Sequence, residues 1–360
     1  MVAQHLTSSS RSRVVLFGGQ GSSSLFSANA SSIAKRDANS SSAGAILLSR
    51  CHAVFLENYQ DLDQDAKDGL GIDISKFCRP EDLLVHDGPF GFHGLIEATT
   101  ISIYQLLHYI TEIEQSDDDF GTFTKSIMET TGFCSGLLGA AVVATSATLS
   151  EFIDHGRQIN VARDEEPSWS LVIVGLSLQR VRETLEKFHT ENDLHTVGVS
   201  AVASEKMISL SGLGPHLSIV LKSLESAPVE KFVHVYAWYH AGEQLQKAVE
   251  KVLRDVQRRE INFPSMKDLK RPIRPTNDGH ILNYQHLYNT NFAEWITRHL
   301  LTYPVDWVTT SQRLSINVVD FSKSGETSEV EVIPFGPSTE IIFTEIKTRL
   351  SYPRIAFADR

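Results

Sequence analysis

Hydrophobic side chains first crowd together at Val14–Val15–Leu16–Phe17, and Gly18–Gly19–Gln20–Gly21 follows at once. A short apolar run closed by glycines predicts a buried strand of an α/β sheet handing over to a loop. Residues 22–44, rich in Ser, Ala and Asn, predict a loop and a weakly specified helix. Apolar spacing then predicts helices over Ala45–Tyr59 and Leu95–Ile113, the second through Leu95, Ile96, Ile103, Leu106, Leu107 and Ile110. A short strand over Ser126–Thr130 leads into Gly132–Phe133–Cys134–Ser135–Gly136. The small, apolar stretch Leu137–Thr148 predicts a helix lying close on a sheet.

The rhythm changes at residue 168. Strands are predicted at Trp169–Val174, Thr196–Ala203, Met207–Ser211 and Lys231–Tyr236, with helices at Leu178–Phe188 and Pro215–Leu224. The order βαββαβ is the ferredoxin-like plan, four antiparallel strands under two helices. Helices over Glu243–Arg259 and Phe292–Leu301 follow, and late strands at Ser315–Phe321 and Glu329–Ile333 are expected to finish the main sheet. The fold class is therefore α/β. Residues 1–165 and 237–360 form the main body and 166–236 an inserted ferredoxin-like subdomain, with a cleft between the two.

Composition narrows the function. The 360 residues are 41% hydrophobic and 21% charged, enough for a sizeable core. A net charge of −11 argues against nucleic acid or an anionic membrane surface as the main partner. Three cysteines, Cys51, Cys78 and Cys134, build no disulfide framework. No run approaches the roughly 20 apolar residues of a membrane helix, and Met1–Arg13 lacks the apolar core of a secretory signal. A reduced, cytoplasmic location is expected.

Gly132–Phe133–Cys134–Ser135–Gly136 is a GxCxG form of the nucleophile elbow. A nucleophile on a strand-to-helix turn occupies strained backbone, and flanking glycines relieve the crowding. The helix behind it turns its positive end toward the thiol, which favours thiolate. The Ser135 N–H would face a substrate carbonyl. Phe17–Gly18–Gly19–Gln20–Gly21–Ser22 matches neither a dinucleotide fingerprint nor a P-loop, and it suits presentation of a backbone N–H at the sheet edge. His240, in Tyr236–Ala237–Trp238–Tyr239–His240–Ala241, stands in a loop that could reach across the cleft. His93, His108, His189, His195 and His234 are expected to be structural. Asp61–Asp65 fails as an EF-hand because Ala66 and Ile72 replace the required Gly and Glu, and no His or Cys cluster has zinc spacing.

GGQGSS, GFCSG and WYHAG after a ferredoxin-like block, in that order, resemble the malonyl-CoA:ACP transacylase fold, with its α/β-hydrolase-like core and small inserted lobe. Tyr303–Pro304–Val305–Asp306–Trp307 resembles that family's Pro-Val-x-Trp stretch. Cys in place of Ser, and Phe133 in place of His, look like the starter unit ACP transacylase domains that open fungal non-reducing polyketide synthases. The resemblance covers about residues 13–350. It implies a Cys134–His240 dyad, an oxyanion hole from the backbone N–H groups of Gln20 and Ser135, and a backbone carbonyl near Leu300 orienting the histidine. It implies acyl transfer from CoA or an upstream, reducing synthase to the phosphopantetheine of an acyl carrier protein. No bound cofactor or metal is expected beyond those thioester substrates, and the partners are the carrier protein and the remaining synthase domains.

The malonyl-binding arginine of the extender-unit enzymes falls at Ile159, between Arg157 and Arg163, which predicts a neutral acyl group. Lys247–Arg274 holds nine basic residues against four acidic ones, a candidate docking face for an acidic carrier protein. The residues alone also leave open a cysteine thioesterase or amidase, and a non-catalytic docking domain carrying a remnant motif.

Overall fold

The computed structural model describes residues 11–19, 35–38, 41–84, 94–116, 118–158, 169–192, 195–224, 229–233, 239–282, 291–324, 329–336, 339–350 and 355–358. In chain order the main elements are β1 (Ser12–Phe17), α1 (Ser42–Gln60), α2 (Gly94–Gln115), β2 (Ile127–Gly132), α3 (Gly136–Thr145) and α4 (Leu149–Gln158). Then come β3 (Trp169–Val174), α5 (Leu178–Asn192), β4 (Val197–Ser204), β5 (Met207–Gly212), α6 (Gly214–Ser223) and β6 (Val229–Val233). The chain ends with α7 (Gln246–Arg258), β7 (Ile273–Arg274), α8 (Phe292–Leu301), β8 (Val305–Asp306), α9 (Trp307–Ser324), β9 (Val330–Phe335), α10 (Thr339–Arg349) and β10 (Ile355–Phe357).

Among the described residues, two five-stranded sheets carry this order. The first is β10-β9-β1-β2-β7, with every described pairing parallel. Its central strand shows why. Val14, Val15, Leu16 and Phe17 are all fully buried, because Val15 and Phe17 join the core under α1, α2 and α3 while Val14 and Leu16 join the core under α9 and α10. A strand covered on both faces reads as a continuous apolar run.

The second sheet runs β6-β3-β5-β4-β8. Its first four strands pair antiparallel. Leu171, Ile173, Ile208 and Leu210 on one face bury Val181, Leu185 and Phe188 of α5 and Leu217 and Val220 of α6. The fifth strand, β8, comes from the Pro304-Val305 stretch and pairs parallel with β4. This two-residue strand ties the second sheet to the chain segment beside the site.

One expected strand is a helix. Ser315–Phe321 lies inside α9, whose Leu314 and Val318 face the core one turn apart. Asp306 caps the start of that helix by accepting from the Thr309 N–H at 2.9 Å. The β-branched residues Ile316, Val318 and Val319 suggested a strand, but capping and the four-residue spacing of the buried positions prevail. Among the described residues, no helix is long and apolar enough to cross a membrane.

Candidate active site

The parallel pairing of β1 and β2 sets Phe17 opposite Gly132. Both strands therefore end at the same level, and their loops meet. The Phe133 N–H donates to the Phe17 carbonyl at 2.9 Å, and the chain then turns sharply. Cys134 takes the left-handed backbone conformation, φ 53°, and α3 begins two residues later. For a non-glycine residue this geometry costs about 1–3 kcal/mol. The Gly136 N–H donates to the Phe133 carbonyl (2.9 Å) and the Leu137 N–H to the Cys134 carbonyl (3.0 Å), which locks the turn. A methyl group on Gly136 would run into the carbonyls of Phe17 and Gly18, so only glycine lets the elbow sit on the β1 loop. The thiol thus stands just ahead of the positive end of a ten-residue helix.

His240 arrives from the other side, on the segment after β6, and its backbone is also left-handed at φ 56°. The C-terminal end of α8 holds it there. The N–H groups of His240, Ala241 and Gly242 donate to the carbonyls of Leu300, Leu301 and Thr302 at 3.2, 2.9 and 3.0 Å. These are carbonyls that a helix end leaves without intrahelical partners. The imidazole Nδ1 donates to the Tyr303 carbonyl at 2.7 Å, and Nε2 lies 3.1 Å from Cys134 Sγ.

Because a carbonyl can only accept, Nδ1 carries the proton and Nε2 presents its lone pair to the thiol. Burial pushes the His240 pKa down from 6.5 to about 4, opposed by the backbone bond to Tyr303. The ring is therefore a neutral base at physiological pH. A thiol hydrogen-bonded to such a base can be deprotonated as it attacks an electrophile, and the negative end of α8 favours the imidazolium that results.

The structure brings Cys134, His240 and Ser135 together and relocates one contact. The carbonyl expected near Leu300 binds the backbone N–H of His240, while the imidazole is held by Tyr303, three residues later. The helix end explains the offset. Its last carbonyls are consumed by the His240–Gly242 backbone, and the Thr302 and Tyr303 N–H groups both donate to the Arg298 carbonyl, closing a turn that aims the Tyr303 carbonyl at the ring. Gln20 lies outside the described residues, as do His93, His234, Ile159 and Arg163. Arg157 pairs with Asp154 at 3.5 Å. Among the described residues, no group of three or more His, Cys, Asp and Glu side chains could hold a metal.

Three neighbours were not anticipated from the sequence. A backbone carbonyl such as Tyr303's has no side-chain signature. His299 packs at a tilt against Trp295 (4.3 Å) and meets Tyr303 edge-on (4.9 Å), bracing the turn that holds His240. Gln105, fully buried on α2, donates its amide to the Gly18 carbonyl. Its signal was available: an amide at position 105, on the same helical face as the core residues Ile101 and Tyr109.

The basic segment is less uniform than its charge count suggests. Lys247, Lys251, Arg254, Arg258, Lys267 and Lys270 are exposed. Arg258 pairs with Asp255, and Arg271 donates to the Thr124 carbonyl at 2.6 Å. Arg274 is buried in a two-bond ion pair with Glu129 of β2 (2.9 and 2.8 Å), and Asn317 donates to the same carboxylate at 2.6 Å. The candidate docking face is therefore mainly the outer side of α7 and the Lys267–Lys270 turn.

The sequence profile described as "Starter unit:ACP transacylase in aflatoxin biosynthesis" matches residues 15–240. The chain is 29% identical over 357 residues to orsellinic acid synthase armB of Armillaria mellea, covering 90% of this chain and 16% of that protein. It thus spans about a sixth of the length of that curated relative. Its fold matches acyl-carrier-protein-S-malonyltransferase from Bartonella henselae with a TM-score of 0.62 at 14% identity, covering 96% of this chain and 94% of that one. It also matches a malonyl-transacylase solved in complex with its type II polyketide synthase acyl-carrier protein, with a TM-score of 0.58 at 15% identity, covering 96% and 95%.

Proposed function

From the premise that the chain belongs to the starter unit:ACP transacylase family, we propose that it primes a polyketide synthase by ping-pong acyl transfer through Cys134. The observation that carries this reading is the 3.1 Å contact between Cys134 Sγ and an imidazole Nε2 whose other nitrogen is pinned on a backbone carbonyl.

In the first half-reaction His240 Nε2 takes the thiol proton while Sγ attacks the carbonyl carbon of an acyl-CoA or acyl-carrier thioester. The tetrahedral oxyanion is held by backbone N–H groups, that of Ser135 and, by resemblance, that of Gln20. Collapse breaks the bond to the donor sulfur, which leaves with the proton from His240. In the second half-reaction the phosphopantetheine thiol of a carrier protein gives its proton to His240 and attacks the acyl-Cys134 carbonyl, and Cys134 leaves as thiol. Each step exchanges thioester for thioester, so no cofactor or metal is needed.

The strand order β6-β3-β5-β4, antiparallel throughout, supports reading 166–236 as a ferredoxin-like lobe inserted in an α/β-hydrolase-like core of 1–165 and 237–360. The partners are an acyl carrier protein, docking on the exposed basic residues of α7, and the remaining domains of a cytoplasmic synthase. That the chain spans a sixth of its relative supports a place within a larger synthase. The acyl group is neutral, since Ile159 falls where the extender-unit enzymes carry their carboxylate-binding arginine, and the nearby Arg157 lies 3.5 Å from Asp154.

The test is transfer of radiolabelled acyl groups from acyl-CoA to holo carrier protein. Cys134→Ala and His240→Ala are expected to abolish labelling of the carrier. Undiminished transfer by either variant overturns the reading, and faster release of free acid than of acyl-carrier would make the protein a thioesterase.

A further inference from the structure

We propose that Gln105 is a positioning residue for acyl transfer: from the far side of the sheet it fixes the Gly18–Gly19 peptide that lies against Cys134. This inference rests on the acyl-cysteine reading above and extends it to a residue outside the dyad.

Gln105 is fully buried on α2, its side chain packed close to Gly139 and Gly336. Its Nε2 donates to the Gly18 carbonyl, while its Oε1 is buried with no hydrogen-bond partner among the described residues. Flipping the amide would set oxygen against oxygen at Gly18, so chemistry fixes its orientation. A buried acceptor left unpaired costs about 1–3 kcal/mol, a cost that an apolar side chain of the same size would avoid. The compensating contact is the one to Gly18.

That contact acts on the chain at its most permissive point. Gly18 and Gly19 follow β1 directly and, as glycines, place little steric limit on the peptide between them. The Gly18 N–H is tied to the Phe335 carbonyl at 3.1 Å, and the Gly136 backbone packs on the Gly18 carbonyl. Gly19 lies so close to Cys134 that an added methyl group would meet Cβ of Cys134 at 3.0 Å and run into the Phe133 carbonyl. In a planar trans peptide the C=O and the following N–H point in opposite directions. Holding the Gly18 oxygen on Gln105 therefore aims the Gly19 N–H away from α2. Without the amide this peptide can rotate, and backbone donors offered to the thioester oxygen lose their alignment.

The experiment compares two reactions of the same thiol. Acylation of Cys134 by an acyl-CoA passes through an oxyanion, whereas alkylation by iodoacetamide does not. Gln105→Met keeps the volume and removes the donor. The expected result is an acylation rate lower by about 10- to 100-fold, the scale of a misplaced oxyanion donor, with alkylation close to wild type. Equal acylation by variant and wild type overturns the proposal, and so does a parallel fall in both reactions, which marks a merely structural role. Should Gln105→Met not fold, Gln105→Glu decides. A neutral carboxyl there can donate to Gly18 and an ionised one cannot, so its acylation-to-alkylation ratio, taken relative to wild type, is expected to fall as pH rises. A constant relative ratio overturns the proposal. Wild-type protein that takes no acyl group would defeat the acyl-cysteine reading itself, and this inference with it.

Discussion

Lowering the pH perturbs one group at the centre of the site, and its burial sets the sign of the response. His240 is 5% exposed, and burial drops its pKa from 6.5 to about 4. That gap corresponds to roughly 3 kcal/mol in favour of the neutral ring. In the proposed mechanism the working form is the neutral base, so Cys134 acylation should persist through the range where an ordinary histidine protonates. The acid limb of its kcat/KM should fall near pH 4. Stability responds in the same window. Below pH 6.5 the unfolded chain binds a proton at residue 240 that the folded chain refuses until about pH 4. Stability from this group is therefore complete above 6.5 and is lost as pH falls toward 4, by up to roughly 3 kcal/mol. Burial lowers the pKa values of His155 and His299 as well, so the readout is a difference. Urea midpoints of wild type and His240→Asn, measured at pH 7 and again near pH 4.5, isolate residue 240, and asparagine tolerates its left-handed backbone. An acid limb near pH 6.5, or identical pH dependence of the two midpoints, would refute the assignment of a neutral, desolvated imidazole.

Three further sites probe the frame around the dyad. Gly136→Ala drives a methyl group into the carbonyls of Phe17 and Gly18 and should destabilise by roughly 2–3 kcal/mol, whereas Gly198→Ala on β4 meets open space and should leave the thermal midpoint almost unchanged. Glu129→Gln strands the Arg274 charge in the core and should cost about 3–5 kcal/mol in urea unfolding, most of it recovered in Glu129→Leu/Arg274→Met; a loss of under about 1 kcal/mol would show that the pair is not desolvated. Tyr303→Phe keeps the carbonyl that holds Nδ1, so acylation of Cys134 should stay near wild type; a large loss would assign the role to the phenol instead.

The sequence was legible where one physical constraint dominated. Four fully buried residues before a glycine turn marked β1, and the spacing of Ile103, Leu106, Leu107 and Ile110 marked α2. The elbow was legible because few residue types tolerate that turn. It misled where tertiary context decided between local options, as in the β-branched run of α9. The two-residue strands β7 and β8 carry no periodicity at all and exist only because a neighbouring strand accepts them. Arg274 looked like one more surface charge, and only the fold brings Glu129, 145 positions earlier, beside it. The Tyr303 carbonyl was beyond reach for the same reason: its aim depends on how α8 ends.

Intact-protein mass spectrometry after incubation with an acyl-CoA, followed by addition of holo carrier protein, asks the central question directly. The expected result is one added acyl mass, mapped to Cys134 and chased to the carrier's phosphopantetheine. A protein that stays unmodified while the carrier still becomes acylated, or an adduct that maps to another residue, would contradict the account.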